Sequence, residues 1–408
     1  MTDDPLAHPL TINGVTIKNR LGKSATQENM ADEHGVVTQK YIDYYKRLSQ
    51  GGVGLIITGH HYVNLNGRSS TGMTGADSDN QIPQLKKMTD AVHTHKTTVF
   101  AQLNHAGLKA FYEKQVNKDI RGPSKVVWTP ALTTEQIEHI IKDFGASALR
   151  MKQAGFDGIE LHGAHQYLIA QFLSKRSNKR RDRYGGSLVH RQQFVIEVIE
   201  RIREQVGKSF PVIIKLDSHS RSYASIPPLL VPLISIDEAL HTAKRMEDIG
   251  VDAIEVSCGF AATKGAVSYK LSLQSLFLAN DEVVKARVAG WLFTPVDWMF
   301  NHTLWFQPHH NLKNIQRFKE TVDIPILAGS CFRDPVVMRT VIKNKQADMI
   351  CMARPLIYNP DFPQQILQGS TAPSQCLNCN LCLVGLPSGK QMKCYHGKPP
   401  SFHEMKQW

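Results

Sequence analysis

Three residues near the middle of the chain have types and spacing suited to catalysis. They are His162, His165 and Tyr167, in the pattern H-x-x-H-x-Y. Two imidazoles at this spacing can aim ring nitrogens at one oxygen and polarise a carbonyl or nitro group. A phenol with an ordinary pKa of about 10 keeps its proton at neutral pH and can act as an acid. The alternative is a core histidine beside a packed aromatic ring. Zinc is less favoured, because no third ligand stands nearby.

A second cluster of chemical groups occupies the end of the chain. Four of the seven cysteines, Cys376, Cys379, Cys382 and Cys394, form the pattern C-x2-C-x2-C-x11-C. Three thiolates on one tight turn with a distant fourth suit a 4Fe–4S cluster. Zinc would prefer paired C-x2-C arms at a wider separation. Three alternatives therefore stay open for this tail: iron–sulfur, zinc and no metal.

Eight short apolar runs, rich in β-branched residues, are the elements that must position these groups. They cover residues 20–24, 53–59, 98–103, 157–161, 212–216, 253–257, 325–328 and 349–352. Amphipathic helical stretches such as 192–206 and 236–249 separate them. Alternating strand and helix patterns predict parallel βαβ units. Eight such units predict an α/β fold of the (β/α)8 TIM-barrel class, whose active site lies at the carboxyl ends of the strands.

Composition and charge exclude several classes of protein. The 408 residues are 42% hydrophobic, which suits one barrel with insertions. The apolar runs are far shorter than the roughly 20 residues of a membrane span, and the acidic start lacks the parts of a secretory signal. A cytoplasmic protein with no membrane partner is therefore expected. The formal net charge is +12, but the basic residues are scattered along the chain, except at 175–183, and they match no nucleic-acid-binding motif. We therefore expect no nucleic-acid partner.

Residues 155–194 form the most specific segment of the chain, GFDGIELHGAHQYLIAQFLSKRSNKRRDRYGGSLVHRQQF. It closely resembles the fourth-strand signature of the old yellow enzyme family of FMN-dependent oxidoreductases. The most similar branch contains 2,4-dienoyl-CoA reductase, enoate reductases and trimethylamine dehydrogenase. Other matching stretches are KNRLGKSAT (18–26), GGVGLIITG with a downstream NGR (51–68), AQLNHAG (101–107) and ADMICMARPLIYNPDFP (347–363). The resemblance covers residues 8–370 with a gap around 260–310.

The resemblance implies an enzyme that passes hydride from NAD(P)H through FMN to an activated C=C bond. His162 and His165 would polarise the carbonyl of an unsaturated small-molecule substrate, with His162 also contacting the flavin. Tyr167 would protonate the α-carbon from the opposite face. The alternative functions are those of an amine dehydrogenase-like or demethylase-like flavoenzyme and of a non-catalytic redox-partner barrel. Retention of the H-x-x-H-x-Y set favours the reductase.

The resemblance also implies cofactor contacts at the ends of other strands. Gln102 would hydrogen-bond the isoalloxazine edge, since an amide donates and accepts at once. Lys215 would face flavin N1 and O2 and stabilise the anionic reduced form. A lysine inside the run VIIKL also needs a buried partner. The phosphate would bind at the ends of the last two strands. Its expected contacts, including backbone N–H groups, are Gly329, Ser330, Ala353 and Arg354.

The segment after the first strand departs from the family. Gln27 stands where relatives place Thr, Cys or His beside the flavin O4 and N5. Its amide could donate a hydrogen bond but cannot act as a thiol. Ala25, Thr26 and Gly59 are expected to line the same side through backbone contacts. The charged residues of RDRYGGS, from 181 to 187, are expected to pair locally and to fix the loop that presents Tyr167.

Three parts of the chain are expected. Residues 1–370 would form the FMN-binding barrel, 259–311 a variable insertion between strands six and seven, and 371–408 the Cys-rich tail. The Trp-rich insertion would cover the active-site mouth and select substrate, or else form a dimer contact or a satellite core. Longer relatives carry further nucleotide-binding domains, so a cluster in this chain would need a separate electron-donor protein. Direct reduction of FMN by NAD(P)H is simpler. A homo-oligomer stays open.

Overall fold

Eight parallel strands close into a barrel in the computed structural model of this chain. The structure describes residues 4–113, 119–126, 129–221, 232–258, 309–329, 332–378, 382, 386 and 390–396. The barrel strands are β3 (Leu21–Lys23), β4 (Leu55–Tyr62), β5 (Thr98–Asn104), β6 (Gly158–Gly163), β7 (Val212–Asp217), β10 (Ala253–Ser257), β11 (Ile326–Ala328) and β12 (Met349–Met352). Each pairs with the next along the chain, and β12 closes on β3. The predicted TIM-barrel fold is confirmed.

Two antiparallel hairpins accompany the barrel. The first joins β1 (Leu10–Ile12) to β2 (Val15–Ile17), and the second joins β8 (Ser220–Arg221) to β9 (Pro232–Ile234). Asn13 and Gly14 both have positive φ in the first turn, at 42° and 80°. An Asn-Gly pair accepts these angles at little cost, and they match the twist of a hairpin. Apolar side chains of this hairpin pack against the interior of the barrel near the amino ends of its strands.

The helices of the described residues flank the barrel. They are α1 (Gln39–Gln50), α2 (Ile82–His93), α3 (Thr134–Gln153), α4 (Leu168–Leu173), α5 (Leu188–Val206), α6 (Ile236–Asp248), α7 (Leu312–Thr321), α8 (Pro335–Lys343), α9 (Arg354–Tyr358) and α10 (Phe362–Leu367). Capping boxes begin α3, at Thr133 and Gln136, and α6, at Ser235 and Glu238. In each box two backbone N–H groups at the start of the helix gain acceptors. No helix in the described part of the chain is long and apolar enough to cross a membrane.

The barrel strands are buried on both faces, which is why the sequence shows continuous apolar runs rather than alternation. In β7, Val212 and Ile214 pack outward into the core between barrel and helices, while Ile213 belongs to a separate apolar cluster inside the barrel. All eight predicted strands are observed. β4 differs most, since it continues three residues past the predicted end at 59 and has a register shift between Ile57 and His60. The predicted insertion falls almost entirely outside the described residues.

Candidate active site

The carboxyl end of β6 brings the three predicted catalytic side chains together. His162 lies in β6, and Tyr167 is the N-cap residue of α4. The ring centroids of His162 and Tyr167 are 4.6 Å apart, and those of His162 and His165 are 5.0 Å apart. His165 Nδ1 lies 3.4 Å from His162 Nε2, and His165 Nε2 lies 2.7 Å from Ser257 Oγ. The turn between β6 and α4 therefore brings these three side chains together.

Burial sets the protonation of these side chains. It lowers the pKa of His162 and of His165 well below the ordinary value, and nearby cations such as Lys215 add to the effect. Both rings are therefore neutral at pH 7, each with one N–H donor and one bare nitrogen. Burial also raises the pKa of Tyr167, so its phenol keeps its proton. His162 Nδ1 is buried and has no hydrogen-bond partner among the described residues.

A third histidine, His60, faces the same group and was missed from the sequence. Its ring centroid lies 5.0 Å from that of Tyr167 and 5.9 Å from that of His162. Asn104 Nδ2 donates to His60 Nδ1 at 3.0 Å, so His60 Nε2 carries the hydrogen and donates to Gln27 Oε1 at 3.1 Å. Burial lowers the pKa of His60 to about 3. The signal was the polar pair in TGHHY, directly after a buried strand.

A layer of buried polar groups lies beside His162 inside the barrel. The register pairs Lys215 with His162 on one side and with Glu255 on the other. Lys215 Nζ is 3.1 Å from Glu255 Oε2 and 3.6 Å from Glu160 Oε2, with these side chains 2%, 1% and 0% exposed. Gln102 Nε2 donates to Glu160 Oε2 at 2.5 Å. Lys215 therefore has the buried partners that its place in an apolar run requires.

Burial and ion pairing shift the pKa values of this layer in opposite directions. Burial lowers the pKa of Lys215, but Glu160 and Glu255 more than offset it, so the pKa is raised overall. Burial raises the pKa of Glu160 well above its ordinary value, against the attraction of Lys215. Ser24 Oγ joins the layer by donating to Glu255 Oε1 at 2.5 Å. The two glutamates were missed from the sequence, although GIELH and AIEVS each carry an acid in an apolar run, as VIIKL carries a lysine.

The segment after β3 is held mainly by protein partners. Gln27 Nε2 donates to Asn29 Oδ1 at 2.7 Å and to Ser70 Oγ at 2.6 Å, which uses both amide hydrogens. The expected donation from Gln27 to a flavin would have to replace one of these bonds. Thr26 Oγ1 accepts from Lys23 Nζ at 3.2 Å. Ala25 is partly buried and packs against the apolar cluster inside the barrel.

The backbone N–H groups of two predicted cofactor contacts, Gly59 and Gly329, have protein acceptors in the structure. Gly59 N donates to Glu28 Oε1 at 2.9 Å and to Tyr45 Oη at 2.8 Å. Gly329 N donates to Val256 O at 3.1 Å, continuing the pairing of β10 and β11. A bond from either N–H group to a cofactor would have to replace one of these bonds, so the roles of Gly59 and Gly329 stay predictions. Ser330 lies outside the described residues. Ala353 and Arg354 are the N-cap and first residue of α9, directly after β12, so their phosphate role stays a prediction.

The basic loop before α5 has local partners. Arg180 Nη2 lies 2.5 Å from Asp182 Oδ2, and Arg180 Nη1 donates to Pro123 O at 3.0 Å. Asp182 Oδ1 also accepts from Tyr184 N at 3.1 Å. Arg191 Nη2 pairs with Glu238 Oε1 on α6 at 2.6 Å. These contacts give the loop a structural role.

The described part of the tail is bound against the segment that carries Gln27. Asn29 Nδ2 donates to Leu386 O at 2.9 Å and to Lys390 O at 3.2 Å. Met392 N donates to Glu28 O at 2.9 Å, and the Met392 side chain is buried. Cys376, Cys382 and Cys394 are described, and Cys379 is not. Within the described ranges, no three His, Cys, Asp or Glu side chains gather as a metal site.

Comparison with known proteins identifies what the chain is similar to. Residues 5–259 and 247–372 match the NADH:flavin oxidoreductase / NADH oxidase family. An NADH oxidase of Thermoanaerobacter brockii is 29% identical over 92% of this chain and 52% of its own length. A cinnamate reductase of Clostridium sporogenes is 29% identical over 93% and 55%. An NADPH dehydrogenase of Bacillus cytotoxicus is 31% identical over 88% and 91%. The chain thus spans about half the length of some relatives and nearly all of others.

Solved structures share the fold of this chain. A 2-naphthoyl-CoA reductase complex has a TM-score of 0.80 at 24% identity, covering 98% of this chain and 58% of that one. The old yellow enzyme homologue from Zymomonas mobilis has a TM-score of 0.71 at 20% identity, covering 97% and 99%. Histamine dehydrogenase from Rhizobium sp. 4-9 has a TM-score of 0.76 at 23% identity, covering 99% and 53%. The resemblance to the old yellow enzyme family is confirmed.

Proposed function

The chain belongs to the NADH:flavin oxidoreductase / NADH oxidase family, and from that premise we propose that it is a cytoplasmic ene-reductase. In the proposed reaction, hydride passes from NAD(P)H through FMN to the activated C=C bond of a small unsaturated carbonyl compound. Family membership makes the protein an oxidoreductase with a nicotinamide donor and a flavin cofactor.

The observation that carries the proposal is the neutral group of His162, His165 and Tyr167 at the mouth of the barrel. Neutral imidazoles can donate a hydrogen bond to a carbonyl oxygen without giving up a full charge, which polarises the conjugated alkene. A phenol that keeps its proton lies beside them, with its ring centroid 4.6 Å from that of His162. A polarising pair and an acid are the two protein functions that alkene reduction needs.

The surrounding residues fit a flavin. His162 Nδ1 is buried without a partner among the described residues, so it can bond a bound group. Lys215 supplies a buried cation level with His162 in the barrel. Gln102 uses one amide hydrogen on Glu160 and has a second hydrogen and an acceptor oxygen. Bound FMN, once reduced by NAD(P)H, would supply hydride to the β-carbon. In this proposal the phosphate end is held by Ser330, Ala353 and Arg354.

Each protein group then has one task. His162 and His165 hold the carbonyl oxygen and stabilise the negative charge that develops there, and the bond from His165 replaces its contact with His162 Nε2 or with Ser257 Oγ. Tyr167 donates its proton to the α-carbon. His60 holds Gln27 against the site through its hydrogen bond. Its neutral ring packs beside the rings of His162 and Tyr167. None of these steps requires a group outside the barrel, so direct reduction by NAD(P)H suffices.

The test separates the two half-reactions in the FMN-loaded protein. Tyr167→Phe removes the acid, so reduction of 2-cyclohexen-1-one should slow by about 10²- to 10⁴-fold. Reduction of the flavin by NADPH or NADH should keep its rate, since no phenol proton is used. Stopped-flow absorbance of the flavin follows both steps. Tyr358→Phe is the matched control, because its hydroxyl bonds Gln375 Oε1 instead, and it should leave both rates unchanged.

Two results would count against the assignment. Equal loss of both half-reactions in Tyr167→Phe would remove the proton-donor role. Oxidation of a secondary or tertiary amine, with no reduction of unsaturated carbonyl compounds, would favour the amine dehydrogenase alternative. The name of the histamine dehydrogenase structure makes that assay worth including.

For the tail we propose a 4Fe–4S cluster on Cys376, Cys379, Cys382 and Cys394, supported by their spacing alone. Protein purified without oxygen should then contain iron and acid-labile sulfide, with broad visible absorbance beneath the flavin bands. Zinc without iron would assign the tail to a structural site. A metal-free tail with normal turnover would show that the barrel needs neither a cluster nor a separate electron-donor protein.

A further inference from the structure

Lys109 contacts the catalytic group but has no part in the proposed chemistry. It lies in the short 3-10 helix Gly107–Glu113, which follows β5. Its ammonium faces the phenol ring of Tyr167, with Nζ 4.3 Å from the ring centroid. The same nitrogen donates to His165 O at 2.7 Å. One cation therefore contacts both the acid and the turn that presents it.

The backbone N–H and C=O groups of His165 are both bound by side chains, and these two side chains have opposite charges. Asp217 Oδ2, at the end of β7, accepts from His165 N at 2.9 Å. Lys109 binds the carbonyl oxygen of the same residue. His165 and Gln166 have φ values of 57° and 62°, in the left-handed region that costs energy for residues other than glycine. Contacts from two other strand ends offset that cost and fix the direction in which Tyr167 leaves the turn.

We propose that Lys109 is a positioning residue for Tyr167, which fixes the turn carrying the phenol and stabilises the negative charge left when its proton departs. This role rests on the proposed function. The Tyr167 O–H bond breaks, and its electron pair stays on the phenolate oxygen until water returns a proton. The proton goes to the substrate α-carbon, where the electron pair of the enolate forms the new C–H bond. A cation over the ring favours the charged product of this step.

The charges around Lys109 agree with this role. Burial lowers the pKa of Lys109 to about 7, and the nearby carboxylate of Asp217 raises it. A phenolate on Tyr167 would add a second negative group beside the ammonium and would favour its charged form further. The interaction is therefore strongest when the proton has left Tyr167, which is the condition for helping the transfer itself.

Three substitutions divide the contact into its parts. Lys109→Arg keeps the charge and the donor, Lys109→Gln keeps a donor for His165 O without charge, and Lys109→Met loses both. Cation–π contacts at desolvated sites support about a tenfold loss in alkene reduction for Lys109→Gln. Lys109→Met should be slower still, and Lys109→Arg should restore most of the rate. Flavin reduction by NADPH should be unchanged in all three FMN-loaded variants.

The deciding measurement repeats Lys109→Gln in the Tyr167→Phe background, with 2-cyclohexen-1-one as the probe. If Lys109 acts through the phenol, the second substitution should add almost no further loss. An equal loss in both backgrounds, or equal slowing of both half-reactions, would overturn the positioning role. If Tyr167→Phe alone has no effect, Tyr167 is not the acid and the proposed function fails. That result is distinguishable from a failure of the role of Lys109. Lys109→Gln retains a hydrogen bond and covers the case in which Lys109→Met does not fold.

Discussion

Two halves of the barrel interior are filled by opposite kinds of side chain. Near the amino ends of the strands the interior holds Leu55, Phe100, Ile213, Ala253, Leu327 and Met349, packed with the first hairpin. Near the carboxyl ends it holds Gln102, Glu160, Lys215 and Glu255, all buried. On β5, β7 and β10 the change takes two residues: Phe100 to Gln102, Ile213 to Lys215 and Ala253 to Glu255.

The two halves have opposite effects on stability. Burying the apolar half contributes about 25 cal/mol per Å² removed from water. Burying the charged half costs several kcal/mol per ion before pairing, and pairing offsets that cost only when geometry and hydrogen bonds are good. A barrel of this size could be closed by apolar layers alone. The charged half is therefore consistent with the chemistry proposed for the carboxyl ends of the strands, where His162 and Tyr167 lie.

Lys215→Met should break this comparison and have the largest effect on stability. It makes the half at the carboxyl ends resemble the apolar half in polarity, but it removes the cation that lies 3.1 Å from Glu255 Oε2 and 3.6 Å from Glu160 Oε2. Removing one partner of a buried pair costs about 3–5 kcal/mol, because a buried charge is left uncompensated. We expect this loss in the free energy of unfolding from urea titration at pH 7.

Ile213→Val is the matched control, because Ile213 lies on the same strand and the same face as Lys215, but in the apolar half. It should cost only about 1 kcal/mol, the usual effect of one lost methylene in a core. If both substitutions cost the same, the lysine would contribute no more than packing volume, and the charged half would not be an ion-paired layer.

The contrast also explains which parts could be predicted from the sequence. The eight strands were found because runs such as VIIKL and AIEVS stay apolar and β-branched even where one residue is charged. His162, His165 and Tyr167 were predicted to act together because they come at the carboxyl end of one strand at fixed spacing. Both signals come from residues that are close together in the sequence, so they can be recognised before the fold is known.

The partners of these residues could not be predicted, because they come from other strands. Glu160 and Glu255 reach Lys215 only after the barrel closes, and Lys109 reaches Tyr167 from the end of β5. Gly59 and Gly329 were predicted as cofactor contacts from the family resemblance, which does not show which protein groups accept from their N–H groups. Their donors are used by Glu28 and Val256. Closure of the fold determined these contacts.

Glu28→Gln should sharpen the comparison through pH. Glu28 is a further buried carboxyl near the carboxyl ends of the strands, with Tyr45 Oη and Gly59 N as hydrogen-bond partners. Burial raises its pKa from 4.5 to about 7, against the attraction of Lys23. A raised folded-state pKa means that the folded protein binds this proton more tightly than the unfolded chain. Its contribution to stability is therefore full below pH 4.5 and is lost as pH rises to about 7.

Urea titrations of wild type and Glu28→Gln between pH 4 and 8 give the measurement. The stability of wild type relative to the variant should fall by about 3 kcal/mol across that window, at about 1.4 kcal/mol per pKa unit. His60 and His61, whose pKa values burial lowers to about 3 and about 4, change stability in the opposite direction. Their effect is common to both proteins and cancels in the difference. A flat difference curve would mean that Glu28 is ionised in the folded protein, held by Lys23. Ile213→Val should give that flat curve, because it removes no titrating group and leaves Glu28 in both proteins.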